Sequence, residues 1–246
     1  MKMNFINLTE KELDKPIFRV ISVNRLFQLF EEKVNVLVKP KLWEDPFENY
    51  IMNSTGEMEN GEMFSIGFRE NFYGQCWSKT RENDGLWRIY SPQKNGARIQ
   101  TTPRKLLNSL YSQCNEFKDI SCFLGKVNYY TTPQLKELLE KNAYSWLTDG
   151  TGRGQAQTLL FKRTAFKHEN EIRLIYNSNN KEEHKSDIFS YNINPIDLIE
   201  DIVFDPRIEY AEFKRHKKNL VELGFKKRIV KSILYQSPKL KFRANQ

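Results

Sequence analysis

Two glutamates separated by one residue are the strongest candidates for chemistry in this sequence. Glu169 and Glu171 lie in the stretch His168-Glu169-Asn170-Glu171-Ile172-Arg173. Side chains alternate between the two faces of a strand, so in a strand these glutamates and Arg173 would share one face. The two carboxylates would then perturb each other's pKa. Such a pair suits charge stabilisation by one acid and handling of a target molecule by the other. A solvated Glu-Arg ladder on an exposed strand is the alternative.

Polar and aromatic residues elsewhere in the chain are further candidates for a ligand site that includes the two glutamates. The stretch Ile17-Phe18-Arg19-Val20 predicts an arginine in the first strand, and Gln75-Cys76-Trp77-Ser78 predicts a serine at the end of a middle strand. Trp87 and Tyr90 are three residues apart in a predicted helix and share one of its faces. Their rings suit stacking on a planar ligand, while core packing is the expected use of at least one of them.

Metal and nucleophile chemistry is less well supported by the sequence. The three histidines and three cysteines are too widely spaced for a zinc site or a disulfide framework. The glycines near Gly152 do not complete a phosphate-binding pattern. Asp45 and Asp205, together with the two glutamates, are the residues that a magnesium-dependent nuclease would use. We expect no metal, and we keep the nuclease as an alternative.

The positive charge of the protein is concentrated in one segment. The net charge is +8, and residues 205–246 contain 12 Lys and Arg against 4 Asp and Glu, so the first 204 residues are balanced. A basic cluster of this kind neutralises phosphates and releases counterions, which favours a nucleic acid as partner. A solvated helix face is the alternative. The candidate nucleic-acid contacts are Lys214, Arg215, Lys217, Lys218, Lys226, Lys227 and Arg228.

The elements that must position these residues mix strands and helices without regular βαβ alternation. This order favours an α+β fold with mainly antiparallel sheets and flanking helices, organised as a single domain over residues 1–246. The pattern predicts strands at 17–21, 34–38, 73–78, 97–101, 121–130, 171–176, 187–192, 199–204 and 228–233. It predicts helices after Ser22 and at 84–90, 103–113, 133–147, 155–166 and 208–223. The stretch 40–50 is expected to be irregular.

Composition limits the class of protein. The 246 residues are 39% hydrophobic and 13% aromatic, which is typical of a folded chain. The first 15 residues have neither the basic start nor the apolar stretch of a secretory signal. No apolar run approaches the roughly 20 residues of a membrane-spanning helix. We therefore expect a cytoplasmic protein with no membrane partner.

Five motifs resemble a family of uncharacterised bacterial domains over most of the chain. They are Trp43-Glu44-Asp45-Pro46-Phe47-Glu48, Cys76-Trp77-Ser78, Leu86-Trp87-Arg88-Ile89-Tyr90 with Gly96-Ala97-Arg98-Ile99, Glu169-Asn170-Glu171-Ile172-Arg173, and Ile202-Val203-Phe204-Asp205-Pro206-Arg207. The family names no chemistry. It implies a toxin or phage-defence effector, with an antitoxin or another operon-encoded protein as a partner.

The order of Arg19, Ser78 and the Glu169-x-Glu171 pair also resembles the ADP-ribosyltransferase superfamily of the arginine-serine-glutamate type. Where that superfamily usually has Ser-Thr-Ser, this chain has Cys76-Trp77-Ser78. The resemblance implies an ADP-ribosyltransferase-like fold and NAD as the substrate. It assigns stabilisation of the ribose cation to Glu171 and handling of the acceptor to Glu169.

The same resemblance implies the roles of the binding residues. Arg19 would hold a ribose or phosphate oxygen, Ser78 would hold the glutamate in place, and Trp87 and Tyr90 would stack on nicotinamide. The sequence thus favours an NAD-consuming ADP-ribosyltransferase that modifies a nucleic acid or a protein. A metal-dependent nuclease and a non-catalytic nucleic-acid or partner-binding module of a defence system are the alternatives.

Overall fold

A computed structural model describes residues 4–43, 45, 54–57, 60–65, 69–114, 116–238 and 243. Of the predicted irregular stretch 40–50, residues 44 and 46–50 lie outside the described part. The described residues 40–43 of that stretch begin with a 3₁₀ turn, Pro40–Leu42.

The described residues form fourteen strands and eight α-helices. The strands are β1 (Phe5–Ile6), β2 (Ile17–Ser22), β3 (Val34–Val38), β4 (Thr55–Glu57), β5 (Met63–Ser65), β6 (Phe72–Ser78), β7 (Gly96–Thr101), β8 (Cys122–Lys126), β9 (Asn128–Tyr130), β10 (Phe161–Arg163), β11 (Glu171–Asn177), β12 (Ile188–Asn192), β13 (Asp201–Phe204) and β14 (Arg228–Lys231). The helices are α1 (Val23–Glu31), α2 (Asp84–Tyr90), α3 (Pro103–Tyr111), α4 (Lys118–Ser121), α5 (Thr132–Leu147), α6 (Arg153–Thr158), α7 (Pro195–Leu198) and α8 (Tyr210–Glu222).

A ten-stranded sheet organises the fold. Eight of its strands follow the order β1-β8-β11-β6-β2-β7-β13-β14, and β3 joins β6 and also pairs with β12. The pairs β1–β8 and β13–β14, at the two ends of this order, are parallel, and the remaining pairs of the sheet are antiparallel. The predicted α+β class with a mainly antiparallel sheet is therefore confirmed.

One edge of β6 is shared by two strands, and this creates a gap in the sheet. Strand β2 pairs with β6 at Phe18 and Ser78, whereas β3 pairs with β6 at Val38 and Gly74. Between these two points β2 and β3 diverge. We call this gap, between β2 and β3 along the β6 edge, the notch. A side chain at Gly74 would clash with the Trp43 ring, which lies 2.5 Å from the position of a Cβ atom.

Two short helices flank the notch and are capped locally. The Ser22 hydroxyl accepts a hydrogen bond from the Arg25 backbone and begins α1, as the sequence predicts. The Asn83 side chain accepts one from the Leu86 backbone and begins α2. Helix α2 buries Leu86 and Trp87, so its position against the sheet is fixed by packing as well as by the cap.

Two of the predicted elements are wrong, and both lie near the glutamates. The predicted strand 121–130 breaks at Val127, whose backbone N–H bonds to the Glu171 carbonyl before the chain leaves the main sheet. The predicted helix 155–166 ends at Thr158, and β10 follows it. Both errors have one cause, because β9 and β10 pair with each other in a small parallel sheet. Such non-local pairing overrides local propensity.

No helix among the described residues is both long enough and apolar enough to cross a membrane.

Candidate active site

Four charged side chains meet at the start of β11, and all of them are buried. The Lys162 ammonium lies 2.6 Å from Glu169 Oε2 and 2.5 Å from Glu171 Oε1. Arg173 Nε donates to the other Glu171 oxygen at 2.7 Å. None of the four side chains is more than 8% exposed. We call Lys162, Glu169, Glu171 and Arg173 the charge cluster. Buried charges require partners of this kind, since desolvation costs several kcal/mol per ion.

The backbone turns sharply between the two glutamates. Glu169 ends a 3₁₀ helix, Thr164–Glu169, and Asn170 adopts a left-handed conformation with φ of 47°. Strand β11 begins only at Glu171. Strand alternation therefore places Glu171 and Arg173 on one face, but it does not account for Glu169. The turn at Asn170 brings the Glu169 carboxyl back toward Lys162.

Ser78 holds this turn from the neighbouring strand. Its hydroxyl donates to the Glu169 backbone carbonyl at 2.5 Å, and Ser78 is the register partner of Glu171 across the β6–β11 pair. The adjacent Lys79 backbone N–H donates to the Asn170 carbonyl. Ser78 thus fixes the backbone that carries both glutamates, and it contacts the main chain at Glu169 rather than the Glu171 carboxylate.

The two glutamates differ in proton affinity. Burial by itself would raise the pKa of the Glu171 carboxyl, but the Arg173 charge, a hydrogen bond from Glu169 and the Lys162 charge hold that pKa well below its usual range. Burial and the hydrogen bond to Glu171 raise the pKa of Glu169 to about 8. At neutral pH Glu171 is therefore ionised and Glu169 carries a proton. Two acids with separated pKa values are typical of acid-base sites.

Arg19 lies in β2 at the notch. It is partly exposed and, within the described residues, makes no hydrogen bond or ion pair. Burial lowers the pKa of its guanidinium, and a negative charge on Cys76 would raise it. Arginine still remains charged at neutral pH. A half-buried guanidinium with no partner among the described residues has donors available for an anionic group.

The six predicted catalytic and ligand-binding residues line one pocket. They are Arg19, Ser78, Trp87, Tyr90, Glu169 and Glu171. The pocket has an empty volume of about 700 Å³, counted out to its open mouth. A second pocket lies on the other side of Arg19 in the notch, between β2, α1 and β3, and includes Gln75. Arg19 therefore belongs to both pockets and separates them.

The two aromatic residues of α2 have different environments. Trp87 is 1% exposed, and its indole N–H donates to Glu82 at 2.8 Å. Tyr90 is 45% exposed. Burial of its hydroxyl end and the charges of Glu169 and Glu171 raise the pKa of Tyr90. Trp87 thus packs as a core residue with one edge on the pocket, and Tyr90 is the ring that is free to cover a ligand.

The pocket is linked to the basic C-terminal segment through Asp201. Arg98 lines the pocket, is 2% exposed and pairs with Asp201 at 3.0 Å. Arg228 pairs with the same carboxylate at 2.9 Å. The Ser232 hydroxyl donates to Glu82, the acceptor of the Trp87 indole. The chain after β14 therefore contacts the rim of the pocket.

The predicted nucleic-acid residues fall into two groups. Lys214, Arg215, Lys217 and Lys218 are exposed on α8, and Lys226 is exposed after it. Lys227 instead donates to the Ile196 and Ile199 carbonyls at 2.7 and 2.8 Å, and Arg228 holds Asp201. The first group is available to a partner, and the last two residues already have structural contacts.

The acids that a nuclease would need do not come together. Asp45 pairs with Arg163 at 2.8 Å, and Asp205 pairs with Arg207 at 2.7 Å. Glu169 and Glu171 share Lys162. Among the residues that the structure describes, no group of three or more His, Cys, Asp or Glu side chains is placed to hold a metal ion. Each acid of the nuclease alternative is instead bound to a cation of the protein.

Sequence reasoning missed two charged residues of the site, namely Lys162, which contacts both glutamates, and Arg98, which lines the pocket. Lys162 fell inside the predicted helix 155–166, and nothing in its local sequence marks a contact with residues seven and nine positions away. Arg98 did carry a signal, because it is a charged residue between the apolar residues Ala97 and Ile99 of a predicted strand. Such a residue is buried with a partner or faces a site.

Comparisons with known proteins give one sequence match and a set of remote structural matches. The family model "Protein of unknown function (DUF2971)" matches residues 86–174, which include α2, Arg98 and the charge cluster. The predicted resemblance to an uncharacterised family is thereby confirmed over that segment. No curated protein matches the sequence.

The structural matches include three complexes of Thermus sp. 2.9 DarT, each with a TM-score of 0.41 and 10% identity. The complex with NAD+ is matched over 89% of this chain and 96% of that chain, and the complex with carba-NAD+ over 92% and 97%. The complex with ADP-ribosylated ssDNA is matched over 89% and 94%. Similarity at this level carries no argument about what this chain binds or does.

Proposed function

We propose that this protein is an ADP-ribosyltransferase that consumes NAD and modifies a nucleic acid. One observation carries the proposal. The six residues selected from sequence line a single pocket, in which an ionised carboxylate, a protonated carboxyl and a cation with no partner among the described residues face the same space. The carboxylate can stabilise the cation that forms when a nucleotide's glycosidic bond breaks, and the guanidinium can hold the nucleotide's phosphates.

Glu171 supplies the negative charge at the reacting carbon. Departure of nicotinamide leaves positive charge on the ribose, and a carboxylate beside the ribose 2′-hydroxyl stabilises that charge. The ion pairs with Lys162 and Arg173 keep Glu171 ionised and fix its orientation. A preorganised charge of this kind needs no rearrangement when the bond breaks.

Arg19 supports binding of the dinucleotide. Its planar guanidinium can donate two hydrogen bonds to a diphosphate. Its place between the glutamate pocket and the second pocket, in the notch, suits a ligand with a polar centre and a ring system at each end. In this arrangement Tyr90 covers the nicotinamide end, beside the glutamates.

Glu169 acts on the acceptor. In the transfer, the bond between ribose C1′ and the nicotinamide nitrogen breaks, and its electron pair leaves with nicotinamide. A bond forms between C1′ and the acceptor's oxygen or nitrogen, and the proton lost by that atom passes to the Glu169 carboxylate. Glu169 must therefore lose its own proton before each transfer.

The exposed lysines and arginine of α8 support a nucleic-acid acceptor. They form a positive surface on the same C-terminal segment whose later residues contact the pocket rim. NAD depletion and nucleic-acid modification are both harmful to a cell, so the proposal includes a toxin or defence role controlled by a partner protein.

Incubation with NAD labelled in the adenosine half tests the proposal. The protein and labelled NAD are incubated with RNA, DNA or cell lysate in separate reactions. Transferred label and free nicotinamide are measured in each reaction. We expect label on a nucleic acid together with an equal amount of nicotinamide. Label on protein alone would contradict the proposed acceptor, and no nicotinamide release under any condition would contradict the proposed reaction.

A further inference from the structure

Lys162 is the charged group that joins the two glutamates of the site. It is 5% exposed and contacts both carboxyl groups, and its ammonium also lies 4.7 Å from the centre of the Phe166 ring. A lysine side chain loses much conformational freedom when it is buried, and its charge loses hydration. Its contacts with two carboxyl groups compensate for that cost only if the geometry is held closely.

The two glutamates depend on Lys162 to different extents. Glu171 has a second cation, Arg173, on its other oxygen. Glu169 contacts the Lys162 ammonium through Oε2, and the described residues provide no other cation within ion-pair distance of Glu169. Removal of the ammonium would therefore leave Glu171 paired, and it would leave Glu169 beside a negative charge without compensation.

Resting on the proposed function, we propose that Lys162 is a positioning residue for the transfer step. Its ammonium holds the Glu169 carboxyl beside Glu171 and sets the pH above which Glu169 accepts the acceptor's proton. Lys162 touches neither NAD nor the acceptor in this role. It acts through Glu169.

The surroundings of Glu169 support this assignment. Glu171 faces it from β11, Tyr129 from β9 and Tyr90 from α2, and Arg173 contacts Glu171 rather than Glu169. Burial and Glu171 raise the pKa of Glu169, and Lys162 lowers it, with a net value of about 8. Burial raises the pKa of Tyr129 to about 12 and also raises that of Tyr90, so both phenols stay neutral when Glu169 titrates.

Loss of the Lys162 charge should move the pH dependence of transfer to higher pH. Below the pKa of Glu169 its carboxyl is protonated and cannot take the acceptor's proton, so transfer rises with pH through about 8. Without the Lys162 charge the ionised form of Glu169 is less stable, its pKa increases, and the rise in transfer moves to higher pH.

The test compares Lys162→Met, Lys162→Arg and the control Lys167→Met. Lys167 is an exposed lysine of the same 3₁₀ helix that carries Glu169. Two quantities are measured against pH, namely acceptor-dependent kcat and the carboxyl carbon shift of Glu169 in ¹³C-labelled protein. For Lys162→Met we expect both midpoints to rise by about one pH unit or more. The kcat at neutral pH should fall about tenfold or more, with little change in KM for NAD.

The other variants separate positioning from general structural damage. Lys162→Arg retains the charge and should keep a midpoint near that of the wild type, and Lys167→Met should be unchanged. If Lys162→Met does not fold, Lys162→Met/Glu169→Gln removes the ammonium together with the carboxyl that could ionise beside Glu171, and it should fold. It should lose the pH-dependent rise in kcat, and a rise equal to that of the wild type would overturn the proposal.

Failure of this proposal and failure of the proposed function give different results. A wild-type protein that releases no nicotinamide contradicts the proposed function and the catalytic part of this proposal together. The ¹³C titration still reports on the positional part in that case. Equal midpoints in wild type and Lys162→Met, with normal turnover on NAD, would overturn the role of Lys162 alone.

Discussion

The charge cluster and the basic face of α8 contain the same kinds of side chain in opposite environments. In the charge cluster, ion-pair distances are 2.5 to 2.7 Å and no side chain is more than 8% exposed. On α8, Arg215 lies 3.5 Å from Glu212 and Lys218 lies 3.8 Å from Glu222. The side chains of Arg215 and Lys218 are each more than 60% exposed.

This difference separates reaction chemistry from recruitment. Buried pairs interact strongly in a low dielectric and hold fixed positions, as catalysis requires. Exposed ion pairs contribute little to stability, and phosphates of a partner readily replace the glutamates in them. Substitutions in the charge cluster should therefore change turnover and stability, whereas substitutions on α8 should change binding and its dependence on salt.

Glu171→Gln should give the largest effect. Loss of the charge that stabilises the ribose cation should lower kcat on NAD by about 100- to 1,000-fold. Because the buried pairs with Lys162 and Arg173 are weakened, the free energy of unfolding should also fall, by about 3 kcal/mol. Turnover is measured at a temperature where circular dichroism shows the variant to be folded.

Asp205→Asn is the matched control for that loss of stability. Asp205 is fully buried and paired with Arg207, but it does not line the pocket. The Asp205→Asn substitution should lower the melting temperature and leave the kcat of the folded protein near the wild-type value. Similar kcat losses in both variants would assign the effect to stability and remove Glu171 from the chemistry.

Arg19→Lys should give the next largest effect. A compact ammonium cannot reproduce the paired donors of a guanidinium, so the KM for NAD should rise about tenfold, equivalent to about 1.4 kcal/mol. The melting temperature should change little, because Arg19 has no described partner to lose. Arg104→Lys, at an arginine paired with Glu10 and Asp14, is the control and should leave KM unchanged. An unchanged KM in Arg19→Lys, with a large fall in melting temperature, would make Arg19 structural.

Several of these residues could be chosen from the sequence because local patterns determine their elements. Helix α2 and strand β3 have the predicted bounds, since a side-chain cap begins the one and apolar alternation marks the other. The notch and Lys162 could not be predicted, because both arise from pairing between distant segments. The gap requires β2 and β3 to share one edge of β6, and Lys162 reaches the glutamates only through the β9–β10 pair.

Reversal of three charges on α8 should affect binding alone. In Lys214→Glu/Lys217→Glu/Lys218→Glu, nucleic-acid affinity should fall uniformly across sequences. The slope of log K against log salt on duplex DNA should decrease by about 0.9 per lost contact. Lys136→Glu/Lys141→Glu on α5 is the control, because both lysines are exposed on another helix. Weak binding that is independent of salt and equal in all three proteins would contradict a nucleic-acid partner.

Lys227→Ala should give the smallest effect. Like substitutions in the charge cluster, and unlike those on α8, it should change stability rather than nucleic-acid binding. Its ammonium donates to two backbone carbonyls, so its loss should cost about 1 kcal/mol of stability and leave the salt slope unchanged. Chemical denaturation and the same binding titrations measure both quantities. A decrease in the salt slope with unchanged stability would return Lys227 to the nucleic-acid surface.

A crystal structure of the Glu171→Gln protein with NAD would show directly whether the dinucleotide binds with its ribose at residue 171 and its phosphates at Arg19. We expect the nicotinamide ribose to lie beside residue 171, with its 2′-hydroxyl at about 2.7 to 3.2 Å from that side chain. We also expect a phosphate oxygen against Arg19 and the nicotinamide ring under Tyr90. A dinucleotide bound away from the two pockets that meet at Arg19, or no bound dinucleotide at saturating NAD, would contradict NAD as the substrate of this site.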